Sequence, residues 1–407
     1  MERPKKSGAV AGLPDDPLVE VLSRVPAKDL HRSKCVSKGW RDLIADPLHR
    51  KKLPRTLQGF FHAWDFINLL GGSRPPVDPS FAFLKKLPGI GNICLRDSCN
   101  GLLLFRHATS RTISYVVCNP ATEQWAAVPS EHTPADYHMR VRNTYLVFDP
   151  AVSSHFQLVT ICAEEGSLAT VHIYSSETGV WKHSQTDWAE EEKQLGLWKG
   201  PNPQINGRVR GAPFFNGLLY VMLNNYQIAK VDVEGKTRGI IPAPSSMNNL
   251  GAYYGPPFIG QSQGHLYCIH EPPSQVYTRD FNDDRDLLSI WVLDYDTQKW
   301  ALKHRVSRTH LFGSRFYTSD CDYNVVAIHP DSNMVFIFLN WKRQLISYSL
   351  DSKEVRALGT LEQDPGWFVP YVPCFLDFLS VVEHEEKLKG PGEQSAEDVA
   401  RVGGGGQ

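Results

Sequence analysis

The 407-residue sequence is 42% hydrophobic and 21% charged, with 43 Lys/Arg against 44 Asp/Glu and a net charge of −1. That balance excludes a whole-chain attraction to nucleic acid or to an anionic membrane, and no apolar run approaches the roughly 18 residues of a membrane span. The start, MERPKKSGAV, lacks the hydrophobic stretch of a secretory signal, and eight scattered cysteines without a C-x-x-C pair predict reduced thiols in an intracellular protein.

Residues 1–11 read as a flexible basic tail, and residues 12–55 as three short helices. In the first, Asp15 and Asp16 offer an N-cap and Pro17 the first helical position. Leu18, Val21, Leu22 and Val25 follow at i, i+3, i+4 and i+7, an apolar stripe on one face. Pro26 ends it. A second helix carries Leu30 and Cys35. Ser37 caps a third, with Trp40, Leu43 and Ile44 inward and Asp46-Pro47 as its stop. Three helices in about 40 residues make a small core with no staple, so this module calls for a protein surface to lie against.

These residues carry a resemblance. Leu13-Pro14-Asp15-Asp16, then Val21-Leu-Ser-Arg-Val-Pro26, then Cys35-Val-Ser-Lys-x-Trp40-x-x-Leu43-Ile44 is similar to an F-box of the plant type. The resemblance implies a substrate receptor of a Skp–cullin–RING ubiquitin ligase, docking on a Skp-family adaptor and through it on a cullin. It implies adaptor contacts from Leu13, Pro14, Leu18, Val21, Leu22, Leu30, Val36 and Trp40. His31 and Ser33 depart from the apolar residues often found at their positions. Between Arg24 and Arg55 ten Lys/Arg face three Asp, a field suited to an acidic protein partner. A nucleic-acid surface would want interleaved aromatics, and only Trp40 is present, in the core stripe.

From about 56 to 382 short β-rich runs alternate with turn residues: LLLF, YVVC, YLVF, FQLVTI, LLYVML, MVFIFL. A repeat runs through them. NPATEQW (119–125), SSETGVW (175–181), DVEGKTR (232–238), DYDTQKW (294–300) and SLDSKEV (349–355) each open on Asn, Ser or Asp. A turn former stands fourth in each: Thr122, Thr178, Gly235, Thr297, Ser352. Their last residues recur at intervals of 56, 57, 62 and 55. Asn100-Gly101, Asn216-Gly217 and Gln263-Gly264 are a second marker, each preceding a run expected to be a blade's inner strand. A four-stranded unit of this length is a propeller blade. The expected fold is mostly β: a six-bladed (alternatively seven-bladed) kelch-like β-propeller, with the sixth blade joining Phe60–Leu95 to a closing strand at Phe375–Val382. It resembles the kelch-like F-box-associated domain. Residues 383–407 are Gly-rich and charged, with the composition of a disordered tail.

Catalytic patterns are few. Gly260-Gln-Ser262-Gln-Gly264 matches G-x-S-x-G, but a strand, not the required helix, follows the serine. Glu190-Glu-Glu192 and Asp283-Asp284 read as solvated charge, and His265 and His270 fall on opposite faces of one strand. No enzyme activity, cofactor or metal site is expected. Long connections after each hairpin (128–144, 182–213, 242–259, 301–320, 358–374) are rich in aromatics and arginines, the residues that dominate binding hot spots. Tyr137, Arg142, Trp198, Arg210, Tyr254, Arg315, Tyr317 and Trp367 are the target-binding candidates. The expected function is a substrate receptor in the cytoplasm and/or nucleus, binding no nucleic acid or membrane. The alternative is a propeller enzyme or glycan-binding module with an unrelated helical appendage.

Overall fold

The computed structural model describes residues 13–25, 30, 33, 35–46, 49, 57–62, 64–69, 75–86, 93–108, 113–130, 141–163, 170–185, 212–222, 227–244, 257–270, 287–313, 323–361 and 368–374. Both predicted tails lie outside them. The helical module opens with α1 (Asp15–Leu22). Its N-cap is Pro14, not an aspartate. Asp15 and Asp16 fall in the first turn, where their charge meets the positive helix end. Leu30 and Ser33 have helical backbone, and α2 (Lys38–Ala45) follows. Ser37 caps α2 by accepting from Trp40 N at 3.1 Å, and Asp46 ends it in the extended conformation a following proline favours.

Leu18, Val19, Leu22, Leu30, Leu43 and Ile44 form the module's core, with Val25 and Trp40 packed against it and no propeller residue in the cluster. The α1 stripe is broader than the interior that covers it. The core leans toward Val19, which is 1% exposed, and Val21 on the other side is left 54% exposed.

The propeller begins with β1 (Gly59–His62), β2 (Asp65–Asn68) and a one-turn helix, α3 (Ala82–Lys85). Antiparallel meanders then follow. Blade 1 is β3–β6 (Ile93–Cys99, Leu102–Ala108, Ile113–Asn119, Gln124–Val128). Blade 2 is β7–β10 (Val141–Val147, Gln157–Ala163, Thr170–Ser175, Val180–Gln185). Blade 3 is β11–β14 (Phe214–Phe215, Leu218–Met222, Gln227–Asp232, Thr237–Pro242). Blade 4 is β15–β18 (Phe258–Ser262, His265–His270, Leu287–Asp294, Lys299–Ser307), with α4 (Arg308–Phe312) after it. Blade 5 is β19–β22 (Tyr323–Ile328, Met334–Leu339, Gln344–Ser349, Val355–Thr360). Finally β23 (Phe368–Tyr371) pairs with β1, making blade 6 in the order β2-β1-β23.

The blade count is six. Two details of the closure differ from expectation. The closing strand is Phe368–Tyr371, while 375–382 lies outside the described residues, and Ile93–Leu95 belongs to blade 1. Pro370 stands inside this strand; β23 pairs on one side only, and an edge strand tolerates proline.

Each interface between neighbouring blades is one hydrophobic cluster. In β4, Leu102 and Leu104 pack toward blade 2, while Leu103 and Phe105 pack toward blade 6. A strand covered on both faces needs apolar residues at every position, which is why LLLF and MVFIFL are continuous runs and not alternating ones.

The hairpin motif behaves as its chemistry requires. Asn119, Asp232 and Asp294 accept the N–H two residues on through Oδ1 (3.1, 2.9 and 2.9 Å). The left-handed residue stands fifth in most of these turns, at Glu123, Gly179, Gln298 and Lys353. The Thr or Ser in fourth place does not take the bend, as the sequence had implied; only Gly235 has positive φ there. The closing tryptophans have an unexpected partner: Trp181 Nε1 donates to Pro129 O (2.9 Å) and Trp300 Nε1 to Pro242 O (2.7 Å). Each links a blade's outer strand to the end of the preceding blade. Trp300→Phe keeps the packing and loses the bond, so equilibrium denaturation should show about 1 kcal/mol lost.

Candidate functional site

The inner strands β3, β7, β11, β15, β19 and β23 run side by side around an axis. Asn100 Nδ2 donates to Phe148 O, Ser262 Oγ to His329 O and Gln263 N to Pro330 O, each at 2.6 Å. The C-terminal ends of neighbouring inner strands therefore meet at one face, the face of tight turns. The Asn-Gly runs that were expected to be innermost are the second strands, β4 and β12, which are covered by blades on both sides over most of their length. Asn100-Gly101, Asn216-Gly217 and Gln263-Gly264 all have positive φ, as two-residue hairpins demand.

The strand ends flanking the long connections lie at the opposite face. Tyr137, Trp198, Arg210, Tyr254, Arg315, Tyr317 and Trp367 are outside the described residues, and Arg142 is described by its backbone alone, paired with Cys162 in β7–β8. Phe368, an aromatic of the 358–374 connection, is a core plug: its ring lies 4.8 Å from both Phe338 and His62.

Between the inner strands lies an axial cavity of about 540 Å³. On the blade 1 and blade 2 side it presents Arg96, Asp97, Arg106, Tyr115, Asn143 and Thr144. Sequence reading missed this group, because nothing in a β-run says which residues turn to the axis. A bulge between Leu95 and Asp97 re-aims β3 there. Asp97 accepts from Ser98 N (2.8 Å) and Leu146 N (2.9 Å). Burial nevertheless raises its pKa to about 7, against those two bonds. The folded chain thus holds a proton that the unfolded chain releases near pH 4. Stability from this group is full below that value and is lost as pH rises to about 7. Asp97→Asn should flatten that slope, measured as denaturation midpoints at mildly acidic and mildly basic pH.

Ser262 is fully buried, its hydroxyl spent on His329 O, inside a strand–turn–strand hairpin. It is a blade-to-blade tie, not a nucleophile elbow. His265 is exposed and His270 buried, on opposite faces. His172 and His183 are cross-strand neighbours with rings 4.5 Å apart, and burial, then His183, lowers the His172 pKa to about 4. Burial raises the thiol pKa of Cys118 and of Cys268. The acidic runs at 190–192 and 283–284 lie outside the described residues.

The helical module splits its candidate set. Leu18, Leu22 and Leu30 are 5%, 2% and 4% exposed and hold the module together, so they present no surface. Trp40 is half-buried against them. Leu13 (43%), Val21 (54%) and Val36 (65%) are exposed, as is Pro14. Arg24 is tied to Glu20 at 2.7 Å and Arg41 to Asp42 at 3.3 Å, both solvent-facing pairs of small energetic weight.

The described residues thus make two parts, a closed propeller and a helical module with its own core. A family model described as "F-box domain" matches residues 11–52, and one described as "F-box protein At3g26010-like, beta-propeller" matches residues 63–227. The Arabidopsis thaliana "F-box protein At5g07610" is 24% identical over 320 residues, 72% of this chain and 70% of its own length. "F-box protein At3g26010" is 22% identical over 382 residues (88% and 81%), and "Putative F-box/kelch-repeat protein At4g22430" 21% over 411 residues (96% and 89%), both from the same organism. The chain is an F-box protein of the plant type, its F-box followed by an F-box-associated β-propeller.

Proposed function

We propose that this protein is the substrate-receptor subunit of a Skp–cullin–F-box E3 ubiquitin ligase. Its F-box binds the Skp-family adaptor through Leu13, Pro14, Val21 and Val36, and the propeller presents a target protein from the face of long connections. The subunit does no covalent chemistry; it raises the effective concentration of target lysines near the charged conjugating enzyme. Such a role places it in the cytoplasm and/or nucleus. The observation that carries this reading is the independence of the two cores. The helical cluster contains no propeller residue, and the propeller closes through β23 without the helices, which leaves three large apolar side chains at the module surface.

The test is proximity labelling with the intact protein and with a form lacking residues 12–55. A common set of neighbours should accumulate with the deleted form, and the adaptor and cullin should appear only with the intact one. Adaptor labelling by the deleted form, or identical neighbour turnover with both, refutes the assignment.

A further inference from the structure

The axial cavity has two unlike walls. Blade 1 supplies two guanidinium groups, Arg96 and Arg106, with Asn143 and Thr144 of blade 2 beside them. The two arginines sense each other: after burial, the Arg106 charge is the next cause lowering the Arg96 pKa. Among the described residues no ion pair engages Arg106. Across the axis, blades 4 and 5 line the cavity with Phe258, Ile259, Gly260, Val326, Ala327 and Ile328, Gln261 being the polar side chain among them. In a six-membered ring blade 4 stands opposite blade 1 and blade 5 opposite blade 2. A cationic wall therefore faces an apolar one across a space of about 540 Å³, within the range that holds one small ligand.

We propose that this cavity binds a small organic anion, a carboxylate carried on an aromatic or aliphatic body, with the carboxylate at Arg96 and Arg106 and the body against blades 4 and 5. Asp97, the acidic residue of the lining, does not oppose it. Both of its oxygens are occupied by backbone N–H groups, and burial holds the carboxyl neutral up to about pH 7. An acidic peptide fits less well, since it would bring further carboxylates against the apolar wall, where an unpaired charge is costly. The site is separate from the adaptor surface, so it stands or falls independently of the ligase assignment.

The test uses full-length protein and titration calorimetry with 2-naphthoate, its neutral isostere 2-naphthamide, and an acidic hexapeptide. The acid should bind at millimolar or lower concentration and the amide about tenfold or more weakly, the factor supplied by one charge-assisted hydrogen bond. Arg106→Met should remove that preference and Arg106→Lys restore part of it, each with an unchanged melting temperature. If Arg106→Met fails to fold, Arg96→Met serves in its place. Equal affinity for acid and amide, no saturable binding of the acid, an unaltered preference in the folded Met variant, or tighter binding of the hexapeptide each overturns the proposal.

Discussion

A Val21→Asp, Val36→Asp double variant is expected to lose co-purification with the Skp-family adaptor while keeping the helical signal and melting behaviour of the native protein. Both side chains are more than half exposed and outside the core cluster, so an aspartate at either costs little folding energy. At an interface each valine, already partly buried, contributes roughly 1–2 kcal/mol of further apolar burial. Removing both, and desolvating two carboxylates in their place, weakens binding by a hundredfold or more. Leu22 gives the contrasting result. The F-box resemblance placed Leu22 among the adaptor contacts, but Leu22 is 2% exposed among Leu18, Leu43 and Ile44. Leu22→Ala should destabilise the module by about 2–5 kcal/mol, and adaptor binding should fall only as the module unfolds. Far-UV circular dichroism beside the pull-down separates the two. Retained adaptor binding by the folded double variant would falsify the docking surface.

The second large effect is at the closure of the ring. Gly101, Gly217 and Gly264 occupy the same position in three equivalent hairpins, with φ of +95°, +74° and +76°. Their surroundings differ. A Cβ on Gly217 or Gly264 meets nothing within 4 Å, whereas on Gly101 it would lie 2.2 Å from Cys374 Cβ and 2.5 Å from Cys374 N. The C-terminal segment lies under blade 1 here. Ser98 Oγ donates to Pro370 O (2.5 Å) and Asn119 Nδ2 to Cys374 O (2.7 Å). Gly217→Ala and Gly264→Ala should each cost about 1 kcal/mol from backbone strain alone. Gly101→Ala adds a clash with backbone that must move, for about 2–4 kcal/mol in all. It should also raise proteolytic cleavage near residues 368–374. Equal losses at the three glycines would show that the segment does not seat under blade 1.

Most of the repeat was legible in the sequence because its chemistry is local. An Asp or Asn that accepts the N–H two residues on, followed by a residue able to take positive φ, is complete within five residues, and its recurrence gave the blades. The Ser37 cap and the Asp46-Pro47 stop were legible for the same reason. The target-binding candidates were chosen by residue type in connections, and they fall almost entirely outside the described residues, apart from the backbone of Arg142. Phe368 shows the limit of that reasoning, since an aromatic in a connection served equally well as a plug in the core.

For this protein the sequence by itself determined the helical module at the start and the all-β repeat after it, and narrowed its units to six or seven. These rest on bonds and periodicities that close within a turn or a strand. Only the tertiary structure decided which side of α1 stays open, that the runs after the Asn-Gly turns are second strands, that Phe368–Tyr371 closes the ring, and that Arg96 and Arg106 meet across from Phe258. Each of these depends on what covers a face, and the covering residues lie far away in the chain. Ser98 meets Pro370 and Asn119 meets Cys374, and no local pattern in either segment encodes that meeting.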